Sequence, residues 1–432
     1  MVSAVLFITF FVLLVLNVPI SVCLGLSSAA AILYSGTSLT IVATNIYSGI
    51  SKFLLLAIPF FVLSGNIMAK AGISTRLIRF VDTCVGHRKG GIANVCIIVA
   101  CFFGAISGSG PATVAALGAV LIPAMIERGG FSAAFSTALM ATSSSIAIVI
   151  PPSIAFVVYA SITGVSIGDM FMAGIIPGIL MGLALVVVVM LEVRRNHVVP
   201  SNVEKASAKE RWNAFKDAFW GFLMPVIILG GIYGGIFTPT EAAAVSVVYG
   251  LFVGMIIYKE VKFKDLWEIL IDSAKTTGGI MLIVACASLF SFVCTRFGIS
   301  TAASELLARV AGNQFTFLLI CNIIFLIAGC FIDANSAMYI FIPIMLPVCK
   351  ALGYNVIAFG IMATVNLAIG QVTPPVGVNL FVAIGIKLRD GIRVTLQEIS
   401  RAVVPMVAAS IVVLLIITYI PQISTCLPAA LG

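Results

Sequence analysis

Two short polar segments interrupt apolar stretches of this chain and carry residue types that bind cations. The first reads Ser107-Gly-Ser-Gly-Pro111, and the second reads Asp333-Ala-Asn-Ser336. Serine hydroxyls, carboxylates and carbonyls presented by a glycine-rich turn are oxygen ligands that hard cations prefer. Asp333 is the only acidic residue between Glu305 and Asp390, and an intramembrane carboxylate is costly and by default functional. We predict that both segments join an ion or substrate site. For Asp333, sodium coordination, a proton relay and an indirect scaffold role all fit.

Two further apolar stretches are each broken by a proline pair, Pro151-Pro152 and Pro374-Pro375. Proline removes a backbone donor and clashes with the preceding turn, so a helix must break or kink there. Freed backbone groups survive at membrane depth only when they are buried in protein or face a wet cavity. A matched pair of broken segments, one in each half, indicates a transporter's central binding site.

Hydroxyl and amide side chains cluster around both breaks. They can bind a polyhydroxylated or carboxylate substrate, although hydrogen bonding between helices is a common alternative in membranes. With the two polar segments, the predicted substrate-binding residues are Ser109, Ser145, Ser153, Asp333, Ser336, Asn366 and Asn379.

The amino-acid composition indicates that these segments lie in a membrane. The chain of 432 residues is 61% hydrophobic and 9% charged, and its apolar runs are long enough to span a bilayer. We therefore predict an all-α polytopic membrane protein. The net charge of +8 lies in short loops, so it reports membrane topology and not nucleic-acid binding. The ten cysteines are scattered singly through apolar segments, which favours buried packing over metal or disulfide chemistry.

About ten spans are predicted, two of them broken at Pro-Pro, together with two re-entrant hairpins. The hairpins cover 92–126 and 314–350, because the arms on either side of each polar tip are too short for full spans. The spans are 3–18, 20–35, 53–70, 131–163 (broken), 170–192, 219–237, 239–257, 276–296, 355–386 (broken) and 399–420.

The distribution of basic residues supports this count. If the N-terminus lies outside, all of the 24 lysines and arginines except Lys52, Arg296, Arg309 and Lys350 fall on the cytoplasmic side. Positive residues are enriched in cytoplasmic loops, and dropping any single span would destroy the pattern. We predict that both termini lie on the outer side.

The two halves of the chain repeat one order of elements: span, amphipathic stretch, hairpin, broken helix, span. Ala71-Gly-Ile-Ser74 in the first half matches Phe297-Gly-Ile-Ser300 in the second. The charge pattern inverts one half relative to the other, so the hairpin tips can meet near the midplane. Inverted repeats are typical of secondary transporters. Their half-helices can point N-termini at an anion and carbonyl ends at a cation.

Four ordered motifs resemble the large membrane subunit of TRAP (tripartite ATP-independent periplasmic) transporters of DctM type, and the resemblance covers essentially the whole chain. They are Gly104-Ala-Ile-Ser-Gly-Ser-Gly-Pro-Ala-Thr-Val-Ala-Ala116, the Ile-Pro-Pro-Ser of 150–153, Gly235-Ile-Phe-Thr-Pro-Thr-Glu-Ala-Ala-Ala244 and Val372-Thr-Pro-Pro-Val-Gly377.

The resemblance implies a sodium-coupled importer of a bacterial inner membrane, with Na⁺ as coupling ion and no organic cofactor. It also implies two partners, a small four-helix membrane subunit and a periplasmic substrate-binding protein, and termini on the periplasmic side. The implied mechanism is an elevator, in which a transport domain slides against a scaffold. The sodium-binding positions that the family implies are Ser107, Gly108, Ser109, Asp333, Asn335 and Thr373.

Mapped onto the chain, the resemblance divides it into five segments. Residues 1–90 hold scaffold helices and a first amphipathic arm, and 91–193 hold the first half of the transport domain. Residues 194–218 form a cytoplasmic linker, and 219–275 hold scaffold helices and a second arm. Residues 276–432 form the second repeat, with hairpin two and the second broken helix.

Three functions are open at this point. The leading hypothesis is sodium-driven import of an organic carboxylate. A sialic acid or other sugar acid is favoured over a C4-dicarboxylate. The polar residues of the hairpins and breaks are hydroxyls and amides, and they include no basic side chain that would bind the second carboxylate of a dicarboxylate. A stand-alone divalent-anion/sodium symporter or ion-transporter-type permease would share the hairpins but need no partners. An intramembrane aspartyl enzyme would need a second membrane aspartate beside Asp333, and the sequence places the others at edges or loops. We therefore expect no enzyme activity.

Overall fold

The computed structural model describes residues 1–196, 205–388 and 393–431. Within these ranges the chain is helical without strands, and nine helices are long and apolar enough to cross a membrane. The predicted all-α polytopic fold is therefore confirmed. Residues 197–204 of the predicted linker lie outside the described residues, as do 389–392.

Ten helices form the first half of the chain and follow the predicted order of elements. A 3₁₀ turn at Phe53–Leu56 extends the start of α4, and another at Ile146–Ile148 follows α8. The helices are α1 (Val2–Val15), α2 (Ile20–Tyr34), α3 (Thr40–Ile50), α4 (Ala57–Lys70), α5 (Ile73–Val85), α6 (Gly91–Ser107), α7 (Gly110–Glu127), α8 (Ala133–Ser145), α9 (Ile154–Thr163) and α10 (Ile167–Arg195).

Ten more helices form the second half. A π-helical segment, Phe252–Ile257, continues α12. The helices are α11 (Ala208–Tyr233), α12 (Pro239–Leu251), α13 (Asp265–Arg296), α14 (Ile299–Ala311), α15 (Gln314–Phe331), α16 (Ala334–Ala351), α17 (Val356–Gly370), α18 (Val378–Ile384), α19 (Leu396–Tyr419) and α20 (Gln422–Leu431).

The internal repeat is visible in local geometry. Gly72 joins α4 to α5 with φ of +68°, and Gly298 joins α13 to α14 with φ of +70°, a conformation that favours glycine. Ser132 caps the start of α8 and Asn355 caps the start of α17. Each cap lies 19 residues before the first proline of its pair. Equivalent residues therefore begin the equivalent helices of the two halves.

Hairpin one consists of α6 and α7, and hairpin two consists of α15 and α16. Only two residues separate the helices of each hairpin, at 108–109 and 332–333. Their arms of 17 or 18 residues correspond to about 26 Å of helix, somewhat longer than the arms predicted. The broken helices are α8 with α9 and α17 with α18, and both Pro-Pro bonds are cis.

The structure differs from the predicted elements in several respects. Residues 208–218 of the predicted linker belong to α11. The predicted spans 3–18 and 20–35 are helices of only 14 and 15 residues, whereas three of the four hairpin arms are long enough to cross a membrane. Helices α3 and α20 have 11 and 10 residues, too few to cross a bilayer, so a criterion of span length overlooks them. They form by packing against α13 and α10, respectively. The predicted boundary at residue 276 falls inside α13, which is one continuous helix of 32 residues packed against α2, α3 and α4.

Candidate functional site

The tip of hairpin one lies against both broken helices. Gly108 has a φ of +61°, and a Cβ added there would lie 3.1 Å from the Pro152 carbonyl oxygen. A Cβ added to Gly110 would lie 2.8 Å from Gln371 Oε1 and 2.8 Å from Asn379 Nδ2. Glycine therefore lets this tip approach the first break on one side and the second break on the other.

Each hairpin also packs backbone against backbone on its own broken helix. A Cβ added to Gly104 would lie 2.7 Å from Ala147 Cα, and one added to Gly370 would lie 2.5 Å from Gly329 Cα. These pairs occupy the same positions in the two repeats, four residues before each tip and four before each proline pair. The sequence analysis missed all four residues, although aligning the repeats would have exposed the spacing.

The second polar tip places Asp333 at the start of α16. Its Oδ2 accepts from the backbone N–H groups of Asn335 and Ser336 at 3.0 and 3.1 Å, and its Oδ1 accepts from the Ser336 hydroxyl. Asp333 is therefore a helix N-cap as well as a carboxylate at the tip. The Gly377 N–H donates to the Cys330 carbonyl at 3.3 Å, which brings the tip beside the second break.

Three of the predicted hydroxyl groups donate their protons to backbone carbonyls of their own segment, and Ser107 shares a hydrogen bond with the Thr113 hydroxyl. Because a hydroxyl has one proton and two lone pairs, its oxygen still accepts after donating. An oxygen atom with free lone pairs can coordinate a cation, but it cannot bind another hydrogen-bond acceptor such as a carboxylate oxygen. The pairs are Ser107 with Thr113 (2.8 Å), Ser145 with the Thr142 carbonyl (2.8 Å), Ser153 with the Ile148 carbonyl (2.5 Å) and Thr373 with the Ile369 carbonyl (2.7 Å).

Three amide oxygens near the second tip and break lack partners. Asn335 Oδ1, Gln371 Oε1 and Asn379 Oδ1 are buried and accept no hydrogen bond from any described residue. Asn379 is fully buried, and its Nδ2 donates to the Ala141 carbonyl on α8 at 3.3 Å. Buried polar groups normally have a partner and are costly without one. A cation or a donor group of a bound substrate would satisfy these oxygens.

Asn366 is hydrogen-bonded between helices, although its own Oδ1, like the three amide oxygens above, is buried without a partner in the described part of the chain. Its Nδ2 donates to Asn322 Oδ1 on α15 at 2.7 Å, and Asn322 Nδ2 donates to Thr418 Oγ1 on α19 at 3.4 Å. These hydrogen bonds connect α17, α15 and α19, so Asn366 has the role in hydrogen bonding between helices that is common for polar residues in membranes.

Replacement of Asn366 by alanine should therefore lower stability more than it changes substrate affinity. We expect a loss of about 0.6 to 1.7 kcal/mol, the range measured for hydrogen bonds between membrane helices. Thermal unfolding in detergent and the KM of folded protein are the measurements. Ser410→Ala is the control, because the Ser410 hydroxyl bonds only within its own helix. An unchanged melting temperature with a raised KM would contradict the structural role and favour substrate contact.

A small cavity of about 120 Å³ lies where the tip of hairpin one faces α4 and α13. Ser107 and Ser109 line it from the hairpin, and Asn66 and Thr276 line it from the opposite side. The volume is below the roughly 300 Å³ at which small-molecule pockets begin. In this conformation the tip is therefore closed against its neighbours.

Paired hairpins whose tips meet paired broken helices, in a multi-pass helical fold, define a membrane permease built from repeats. The chain belongs to the family described as "Tripartite ATP-independent periplasmic transporter, DctM component", whose model matches residues 7–423.

Individual relatives agree with this assignment. The C4-dicarboxylate TRAP transporter large permease protein DctM of Pseudomonas aeruginosa is 41% identical over 410 residues, covering 95% of this chain and 94% of that protein. The sialic acid TRAP transporter large permease protein SiaM of Vibrio cholerae is 34% identical over 400 residues, covering 93% and 92%.

A solved structure supports the fold. The YdaH transporter of Alcanivorax borkumensis, described as having an unusual topology, superposes with a TM-score of 0.63 at 15% identity and 88% coverage of each chain. The protein is thus a TRAP transporter large permease, a multi-pass membrane protein and not an enzyme, and the intramembrane-enzyme hypothesis is dropped.

Proposed function

We propose that this permease couples the inward movement of sodium to import of an organic carboxylate. The observation that carries the proposal is the pair of equivalent half-sites, each formed by a hairpin tip against a broken helix. Oxygen atoms dominate both half-sites, and Asp333 adds a negative charge to the second. Such oxygen sets suit Na⁺, a hard cation.

The proposed sodium ligands at the first half-site are Ser107, Gly108 and Ser109, with carbonyl oxygens of the first break. At the second half-site they are Asp333, Asn335 and Thr373. The unpartnered Asn335 Oδ1 and the acceptor oxygen of Thr373 support this assignment. The anionic substrate would bind between the half-sites, near Ser109 and Asn379, where Gln371 also faces Gly110.

The substrate class follows from the available side chains. Related permeases carry the names of a C4-dicarboxylate, a sialic acid and an isethionate system, so an organic anion is the common feature and two of the three names denote carboxylates. Near the tips and breaks the described residues supply hydroxyls and amides. We therefore favour a sugar acid such as sialic acid, with C4-dicarboxylates as the competing substrates in the same assay.

An elevator movement is the transport mechanism that we propose. We assign α6–α10 and α15–α19 to the transport domain, and α1–α5 with α11–α14 to the scaffold. We place α13 in the scaffold because it packs on α2, α3 and α4. It also packs on α16, so it would form part of the surface along which the transport domain slides. Lys52 Nζ of the scaffold donates to the Ser161 carbonyl of α9 at 2.7 Å, a contact that sliding of the transport domain would break.

Two partners complete the proposed system in a bacterial inner membrane. A periplasmic binding protein would deliver the substrate, and a small four-helix membrane subunit would pack on the scaffold. The termini of the chain would then face the periplasm.

Uptake into proteoliposomes tests the proposal. Vesicles should contain this permease with its small subunit, and the binding protein should be added outside with labelled sialic acid or succinate. We expect uptake only with an inward sodium gradient and only with the binding protein. Uptake that ignores sodium would overturn the coupling. Uptake without the binding protein would instead favour the stand-alone symporter.

A further inference from the structure

An apolar cavity of about 470 Å³ lies between α6, α10 and α11. Its walls are apolar side chains that include Phe102, Ile179 and Leu229. Pro151 of the first break also lines it, so the cavity reaches the depth at which the first broken segment is interrupted. Hydrocarbon is the medium available at that depth, and an acyl chain suits these walls better than water.

Arg211, in the first turn of α11, carries a second feature. Its Nε and Nη2 atoms are buried and donate to no acceptor in the described part of the chain. Buried unpaired donors of a charged group are costly, so an anion bound to this partly buried guanidinium would be stabilising. Its planar arrangement of N–H groups matches the oxygens of a phosphate.

The guanidinium and the cavity lie on one face of the same helix. Arg211 and Leu229 are 18 residues apart, which equals five turns of 3.6 residues. Phe215 lies one helical turn after Arg211. It stacks on Phe222 at 6.5 Å, and Phe222 meets Phe102 of the cavity wall at 4.9 Å, while Phe80 of α5 packs on both Phe215 and Phe222. An apolar strip therefore runs from the charged group to the cavity.

The distance along this strip matches one membrane leaflet. Arg211 and Pro225, which lines the cavity, are separated by 14 residues, or about 21 Å of helix. Half of a bilayer with its headgroup region measures about 20 to 22 Å. Trp212 beside Arg211 is exposed, as expected of tryptophan at the membrane interface.

We propose that one phospholipid of the cytoplasmic leaflet binds along this face of α11. Its phosphate pairs with the Arg211 guanidinium, and one acyl chain occupies the cavity between α6, α10 and α11. The lipid thereby sits where the proposed transport domain meets the scaffold. The binding itself does not depend on the coupling ion or the substrate.

Native mass spectrometry of the purified permease tests the headgroup contact. Phosphatidylglycerol and a diacylglycerol with the same chains are the two probes. We expect one phosphatidylglycerol to be retained and diacylglycerol to be lost. Arg211→Gln should weaken phosphatidylglycerol binding about tenfold, as expected for loss of charge-assisted hydrogen bonds. Lys209→Gln removes the same charge from an exposed residue nearby and should change nothing. Equal binding by Arg211→Gln and wild type, or equal retention of both probes, would overturn the proposal.

A second pair of variants tests the acyl chain. Leu229→Trp fills the cavity and should lower phosphatidylglycerol retention, whereas Val226→Trp places the same ring on an exposed part of α11 and should not. Retention equal to wild type in Leu229→Trp would overturn the placement of the chain.

Photo-crosslinking of the unaltered protein keeps the proposal testable if a variant does not fold. A phosphatidylglycerol with a diazirine in its acyl chain should label peptides of α6, α10 and α11 that line the cavity. Labelling spread evenly over other lipid-facing helices, such as α1, would contradict the proposal.

Discussion

Replacement of Gly370 by alanine is expected to abolish uptake and to destabilise the permease. A Cβ at this position would lie 2.5 Å from both Cα and C of Gly329, closer than real Cβ atoms approach. The obstruction is backbone on both sides, so no side-chain rotation can relieve it. Overpacking of this kind costs about 1 to 3 kcal/mol. It would also separate hairpin two from the second break, where we place one sodium ion.

Thermal unfolding and uptake by purified protein measure both effects. Gly278→Ala is the matched control, because a Cβ there meets nothing within 4 Å and alanine favours a helix over glycine. Gly104→Ala, the equivalent change against Ala147 in the first repeat, should impair uptake in the same way. Normal uptake and stability in Gly370→Ala would show that the close contact between hairpin and broken helix is dispensable.

The second large loss of uptake is expected on replacement of Asp333. Two different substitutions distinguish its role as a helix N-cap from the role of its negative charge. Asp333→Ala removes the acceptor of two N–H groups and one hydroxyl and should cost about 1 kcal/mol of stability. Asp333→Asn keeps a good N-cap, since asparagine caps helices as well as aspartate does. If the carboxylate binds sodium, both variants should lose sodium-dependent uptake at least about tenfold, the usual effect of losing a contact to a charged group.

Asn313→Ala provides the control for the cap alone. Asn313 caps α15 at the opposite end of hairpin two, accepting from the Thr316 N–H at 2.9 Å. We expect a similar loss of stability with uptake per folded molecule retained. Wild-type sodium dependence in Asp333→Asn would remove the charge from the mechanism and leave Asp333 as a structural cap.

Much of this architecture is predictable because glycine and proline act through local backbone chemistry. The breaks at Pro151 and Pro374 follow from the missing donor, and the hairpin tip at Gly108 follows from the need for positive φ. The preference of basic residues for one side of the membrane is the basis of the predicted number of spans, which stays a prediction. These signals require no knowledge of tertiary packing.

Other features depend on packing and are invisible to span length or residue type. Helix α3 is too short to predict as a span and forms against α13. The repeat pattern predicts a domain boundary at residue 276, but α13 continues through this residue without a break. Asn366 and Asn379 are both buried amides in broken helices, yet one ties helices together and the other faces the tip of hairpin one. Residue type alone cannot separate these roles.

The sodium dependence of the initial uptake rate tests most directly whether the two half-sites bind coupled cations. Proteoliposomes with the permease, its small subunit and the binding protein should be assayed at saturating substrate over a range of external sodium. We predict a sigmoidal dependence with a Hill coefficient above 1 and approaching about 2, the limit for two coupled sites. A rate that does not change with sodium, or one that rises hyperbolically, would contradict one sodium ion at each half-site.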